Sequence, residues 1–127
     1  QVLITKPIPN LDIKGTFHLD KGYFCFRNIN DRILFGGGRN LDFEGETTTS
    51  HDTTELIQNR LVALLKTVIL SHQAFEIEHR GSGTMGVGTH KKPIVEQLSN
   101  NVYCGVRMGG MGVAIGSLVG QELADLI

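Results

Sequence analysis

The segment "NNVYCGVRMGGMGVAIGSLVGQELADLI", residues 100–127, decides how the chain is read. Val102–Val106 is a run of strand formers; Gly109, Gly110 and Gly112 follow as a tight turn, and an amphipathic helix runs toward the last residue. Inside that helix Gly112, Gly116 and Gly120 recur at every fourth position. Each costs about 1 kcal/mol against alanine in a helix interior. Residues four apart share a helix face, so the three glycines make a flat strip along which a strand or helix can lie at close backbone distance. The first amides of a helix lack partners within it and sit at the positive end of its dipole, so the turn also suits electron-rich groups. The lysine and Ser/Thr of a Walker loop are missing, and the glycine spacing here departs from G-x-G-x-x-G. A membrane dimer built on G-x-x-x-G is excluded, because the segment is short for a bilayer and Glu122 and Asp125 interrupt it.

Working outward, "GTFHLDKGYFCFRNINDRILFGGGRN" reads as a β-meander. Thr16–Leu19 and residues 23–27 are β-rich, residues 28–31 carry turn chemistry, and residues 33–35 lead into Gly36, Gly37 and Gly38. Alternation in the middle strand sends Phe24 and Phe26 to one face, the core, and displays Tyr23, Cys25 and Arg27 on the other. Residues 2–8 read as a strand ended by Pro7 and Pro9. In "SHDTTELIQNRLVALLKTVIL" Asp52 is expected to cap a helix with Glu55 three residues on, and Ile57, Leu61, Leu64, Leu65 and Val68 form its apolar stripe. A strand at residues 75–78 and a long glycine-rich loop follow. The expected fold class is therefore α+β: an antiparallel or mixed sheet, one long helix, and a terminal strand, glycine turn and helix.

With 127 residues, 40% hydrophobic, 20% charged and a net charge of −1, the chain suits one small domain and offers no electrostatic reason for a nucleic-acid or membrane partner. Cys25 and Cys104 lie in apolar strand-like runs, which favours reduced thiols and a cytoplasmic protein over a disulfide framework. Neither a cleavable signal nor a long apolar span is visible. No metal site is expected: His18, His51, His72, His79 and His90 include no i, i+4 pair, and the cysteines are far apart. His18 on the hairpin and His90 in the loop are candidates for handling protons near a site, the alternative being that they, like the other histidines, are surface residues. The chain enters an apolar strand-like run at once, so it is expected to be a piece of a longer polypeptide.

The order of these parts resembles a known family. "EHRGSGTMGVGTHKKPIVEQLSNNVYCGVRMGGMGVAIGSLVGQELADLI" is similar to the C-terminal portion of the D-amino-acid oxidase family of FAD-dependent oxidoreductases, which includes glycine and sarcosine oxidases. "KGYFCFRNINDRILFGGGRN" resembles the strand pair before it in that family's substrate domain. The resemblance implies residues 1–100 as a substrate-domain portion and residues 101–127 as the terminal strand and helix of the FAD-binding domain. It implies that Gly109, Gly110, Met111, Gly112 and Val113 hold the pyrimidine edge of FAD, which carries negative charge when reduced, and that the glycine strip packs the last helix beneath the cofactor-binding sheet. The implied reaction is hydride transfer from the C–N unit of an amine or amino acid to the flavin.

Two departures qualify that expectation. The family binds the ADP half of FAD with a G-x-G-x-x-G turn near its N-terminus, and none precedes Val2. A separate N-terminal FAD-binding portion is therefore the expected partner, and the chain alone is expected to bind FAD weakly or not at all and to self-associate through its uncovered apolar surface. Amino-acid-oxidising members often carry an aromatic at the position of Gly81 and an arginine near Met85, where this chain reads "RGSGTMGVG". Tyr23, Arg27 and Arg107 are the remaining candidates for a substrate carboxylate, since guanidinium forks match that group. No catalytic residue is assigned. The rival reading is a binding or assembly module that reuses this architecture without catalysis.

Overall fold

Alternating apolar residues along Phe24–Ile29 and Arg32–Gly37 make the paired strands at the heart of the first of two compact units. The computed structural model describes residues 1–127, with units spanning Gln1–Thr84 and Met85–Ile127. In the first unit β1 (Val2–Thr5), β2 (Thr16–Leu19), β3 (Phe24–Ile29), β4 (Arg32–Gly37) and β5 (Ile77–Gly81) form one antiparallel sheet in the order β2-β3-β4-β1-β5. The β3–β4 hairpin turns at Asn30 and Asp31, both with positive φ (45° and 58°), as a two-residue hairpin requires. Register aligns Phe17, Phe26, Phe35 and Leu3 in one row across the sheet. Phe17 stacks on Phe26 at 4.8 Å, and Phe26 meets Phe35 edge-on at 6.0 Å. Phe35, Leu3 and Ile33 are completely buried.

Helix α1 (Glu55–Leu64) covers this apolar face with Ile57 and Leu61, and Leu65 follows directly after it, all three completely buried. The stripe departs from the expected one at its end. Residues Leu65–Ile69 widen into a π turn, in which the Leu70 amide donates to the Leu65 carbonyl at 2.7 Å. The wider turn brings Leu70 into the core and leaves Val68 exposed.

The helix start is also corrected. Thr54, not Asp52, is the N-cap, and no side chain of the segment caps the helix. Asp52 bonds to Ser50 instead. The Thr54 amide donates at 2.9 Å to Oε1 of Gln1, whose Nε2 donates to Thr54 Oγ1 at 2.9 Å. A cap from the other end of the unit replaces a local one. Beneath it, buried Gln58 accepts from Arg80 Nη1 at 2.5 Å, and Thr5 Oγ1 accepts the Ile33 amide at 3.0 Å. These bonds satisfy the buried polar groups where helix meets sheet.

The second unit is a hairpin and a helix. β6 (Ile94–Ser99) pairs antiparallel with β7 (Val102–Val106), with Asn100 and Asn101 at the turn. The sequence reading leaves residues 94–99 in a loop. As a strand, they give the chain a second, two-stranded sheet. α2 (Gly112–Ala124) packs on the hairpin through Val119, 4% exposed. A Cβ at Gly105 would stand 2.9 Å from Val119 Cγ1 and 3.6 Å from Leu123 Cδ2. The close approach within this unit thus depends on Gly105, while a Cβ at Gly116 or Gly120 would meet nothing within 4 Å. No helix is long and apolar enough to cross a membrane.

Candidate functional site: the glycine turn and the open sheet face

β7 ends at Val106, and the chain turns through Arg107, Gly109 and Gly110, all with positive φ (60°, 59° and 84°), before α2 begins. Glycine adopts this backbone without strain, whereas Arg107 needs support from its surroundings. Arg107 Nε and Nη2 both donate to the Lys92 carbonyl, at 3.3 and 3.0 Å. The Gly109 amide donates to the Gly86 carbonyl at 3.1 Å. A Cβ at Gly86 would lie 3.2 Å from Arg107 Cα, and one at Gly88 would lie 3.0 Å from its Cδ. Gly86 and Gly88 therefore let residues 86–92 dock on Arg107, and the arginine fastens them there. Hydrogen bonds from a charged donor contribute about 1.5–3 kcal/mol. In Arg107→Ala, tryptic cleavage after Lys91, followed by peptide mass, is expected to accelerate about tenfold or more. An unchanged rate would mean that the fork does not hold the segment.

The five expected cofactor-binding residues divide by what their amides do. Gly109 donates to Gly86, and Met111 donates to the Met108 carbonyl at 2.9 Å, so both are spent inside the turn. The amides of Gly110, Gly112 and Val113 have no acceptor in the chain. They stand at the start of a 13-residue helix, where its dipole adds partial positive charge. This donor set fits the electron-rich pyrimidine edge of a flavin. Nothing comparable serves an ADP group. Gly81, Gly83 and Gly86 do satisfy the G-x-G-x-x-G spacing, beginning at the last residue of β5. Residues 82–88 then continue as irregular chain with no helix after them, so the pattern lacks the helix N-terminus that would receive a pyrophosphate.

In the first unit the sheet face opposite α1 carries His18, Cys25 and Arg27. Arg27 is exposed, and its Nε reaches only the carbonyl of Asn28, at 3.3 Å. Tyr23 does not share its face as alternation suggested. It precedes β3 in helical backbone (φ −71°, ψ −19°), and its ring packs against the core cluster and edge-on to Phe43 at 6.0 Å. The Arg39 guanidinium lies 5.3 Å from the Tyr23 ring centre and 5.5 Å from that of Phe43. Sequence reasoning missed Arg39 and Phe43. Neither belongs to a periodic pattern, and the left-handed Gly38 before Arg39 is what turns the chain back toward Tyr23. His90 is exposed, and no group of three His, Cys, Asp or Glu side chains gathers to hold a metal ion.

Residues 1–126 match the profile of the family described as FAD dependent oxidoreductase (DAO). The chain belongs to that family. The match covers both units, including the meander and the glycine turn, and agrees with the resemblance read from the sequence. No curated protein and no solved structure matches the chain.

Proposed function

We propose that this chain forms part of an oxidoreductase that oxidises the C–N bond of an amine or amino acid, with residues 109–113 at the pyrimidine edge of FAD. The observation that carries the reading is the set of free amides at Gly110, Gly112 and Val113, found in a member of an FAD-dependent family. Bound FAD would supply the chemistry by accepting a hydride. The three amides and the dipole of α2 would favour negative charge at that edge, in the way of preorganised donors aimed where charge develops. For a substrate carboxylate the proposed contact is Arg27 in the first unit, with Tyr23 of that unit or Arg107 of the second as separate alternatives. Arg27 is the best supported of them, because its guanidinium is the least committed to the chain itself.

The proposal assigns substrate handling to residues 1–100 and cofactor contact to 101–127, a boundary that falls at the turn of the β6–β7 hairpin. The ADP half of FAD would be held by a further portion of polypeptide. That portion would also cover the apolar side chains that the second unit exposes, Val113, Leu118 and Leu98 among them. Without it, the chain would associate with itself through the same surface.

FAD fluorescence quenching tests the reading on this chain, on a protein extended upstream, and on the extended protein carrying Gly110→Val. Valine at φ +84° is strained, and its Cβ would stand 2.9 Å from Met85 Sδ. The expected result is binding by the extended protein only, weakened about tenfold or more by the substitution. Binding by neither protein would sink the flavin reading and leave the binding-module alternative, with the glycine turn as packing.

A further inference from the structure

Away from the turn, one nucleophile stands against one base. His18 on β2 and Cys25 on β3 are directly opposed in the strand register, and His18 Nδ1 lies 2.9 Å from Cys25 Sγ. Opposed residues of an antiparallel pair project side by side, so strand pairing brings the two side chains within reach of each other. His18 is exposed and Cys25 half-exposed, on the sheet face that α1 does not cover. Arg27 follows two residues along on the same face of β3 and adds positive charge there.

The second cysteine provides a contrast within the molecule. Cys104 is also half-exposed, but the residue opposite it across the β6–β7 hairpin is Glu96, so no imidazole faces its sulfur from the paired strand. Burial pushes the Cys25 thiol up, so its sulfur keeps its proton near neutral pH. Such a thiol reacts well only when a base in contact removes the proton as the new bond forms. His18 is in that position in the tautomer that leaves Nδ1 unprotonated, and the thiol also lies 3.7 Å from the Gly22 carbonyl. Half-burial of the sulfur also favours a small, uncharged oxidant over a bulky disulfide.

We propose that Cys25 is an oxidation site for hydrogen peroxide, with His18 as the base that takes its thiol proton. Sγ attacks one peroxide oxygen, and the S–O bond forms as the O–O bond breaks. The thiol proton passes through His18 Nδ1 to the departing hydroxide, so the products are Cys25 sulfenic acid and water. Sulfur loses two electrons and the peroxide gains them. The proposal uses no part of the glycine turn and is independent of the flavin reading.

The test is exposure of the 127-residue chain to hydrogen peroxide with dimedone present, trapping at each cysteine being followed by peptide mass. Cys25 is expected to be trapped at least about tenfold faster than Cys104, a modest share of what a positioned base contributes. His18→Gln is expected to bring Cys25 down to the Cys104 rate while leaving Cys104 unchanged. Equal rates in the unaltered chain, or an undiminished Cys25 rate in His18→Gln, would overturn the proposal. Should His18→Gln fail to fold by circular dichroism, the comparison of the two cysteines in the unaltered chain still decides.

Discussion

Gly37→Ala is expected to remove more than about 4 kcal/mol of stability from the unit Gln1–Thr84, an unusually large cost for adding a single methyl group. Two effects add at this position. The backbone φ is +132°, a region that side chains rarely adopt, and the new Cβ would overlap the Tyr23 carbonyl oxygen and stand 2.8 Å from Phe24 Cα. Both neighbours are backbone, held by the β3–β4 ladder and by the Gly38 amide, which donates to the Tyr23 carbonyl at 3.0 Å. Neither can rotate away as a side chain would. Gly22→Ala separates the two effects, because φ there is +88° and a Cβ would meet nothing within 4 Å. It should cost only about 1–2 kcal/mol, the penalty for a left-handed backbone. Urea unfolding of the three proteins checks the expectation. Similar losses in both variants would mean that the clash at Gly37 is relieved by backbone movement.

Phe35→Ala is expected to cost about 3–5 kcal/mol, because it removes the largest completely buried side chain of the sheet. Phe35 lies on the row shared with Phe17, Phe26 and Leu3, in contact with the ring of Phe26 at 6.0 Å and within 6.2 Å of that of Phe24. Its partners on the two sides, Phe26 and Leu3, are held in register by strand pairing, so they cannot collapse into the space. Phe17→Ala, on the same row but 40% exposed at the edge strand, should cost much less. For a unit of this size 1 kcal/mol lowers the melting temperature by about 4–8 °C. The first change should therefore move the melt by roughly 12 °C or more and the second by only a few degrees. Comparable shifts would mean that the core is not centred on β4.

Much of the first unit is legible because its strands alternate. Phe24 and Phe26 against Cys25 and Arg27 is a period-2 pattern that no other backbone satisfies with one face buried. The structure assigns those residues to opposite faces as read. Tyr23 breaks the reading because the period holds only inside the strand, and the helical backbone at Tyr23 lies just outside it. β6 was missed for a related reason. "PIVEQLSN" is short and follows a long glycine-rich run, and its strand conformation depends on pairing with β7 more than on any propensity of its own. The site divides in the same way: glycines at 109, 110 and 112 announce a turn, but only the coordinates assign the Gly109 and Met111 amides to internal acceptors.

By itself, the sequence determined the α+β class, the meander, the helix that covers it, and the strand, glycine turn and helix that link the chain to its family. These depend on side-chain period and local backbone preference, which neighbours in sequence decide between themselves. Tertiary structure alone decided that Gln1 caps α1 across the unit, that a π turn replaces Val68 with Leu70 in the core, and that Gly105 admits Val119 to the hairpin. It also decided that His18 rests on Cys25. Each of these is a contact between segments, and its energy depends on a distance and an orientation that do not exist until the chain has folded.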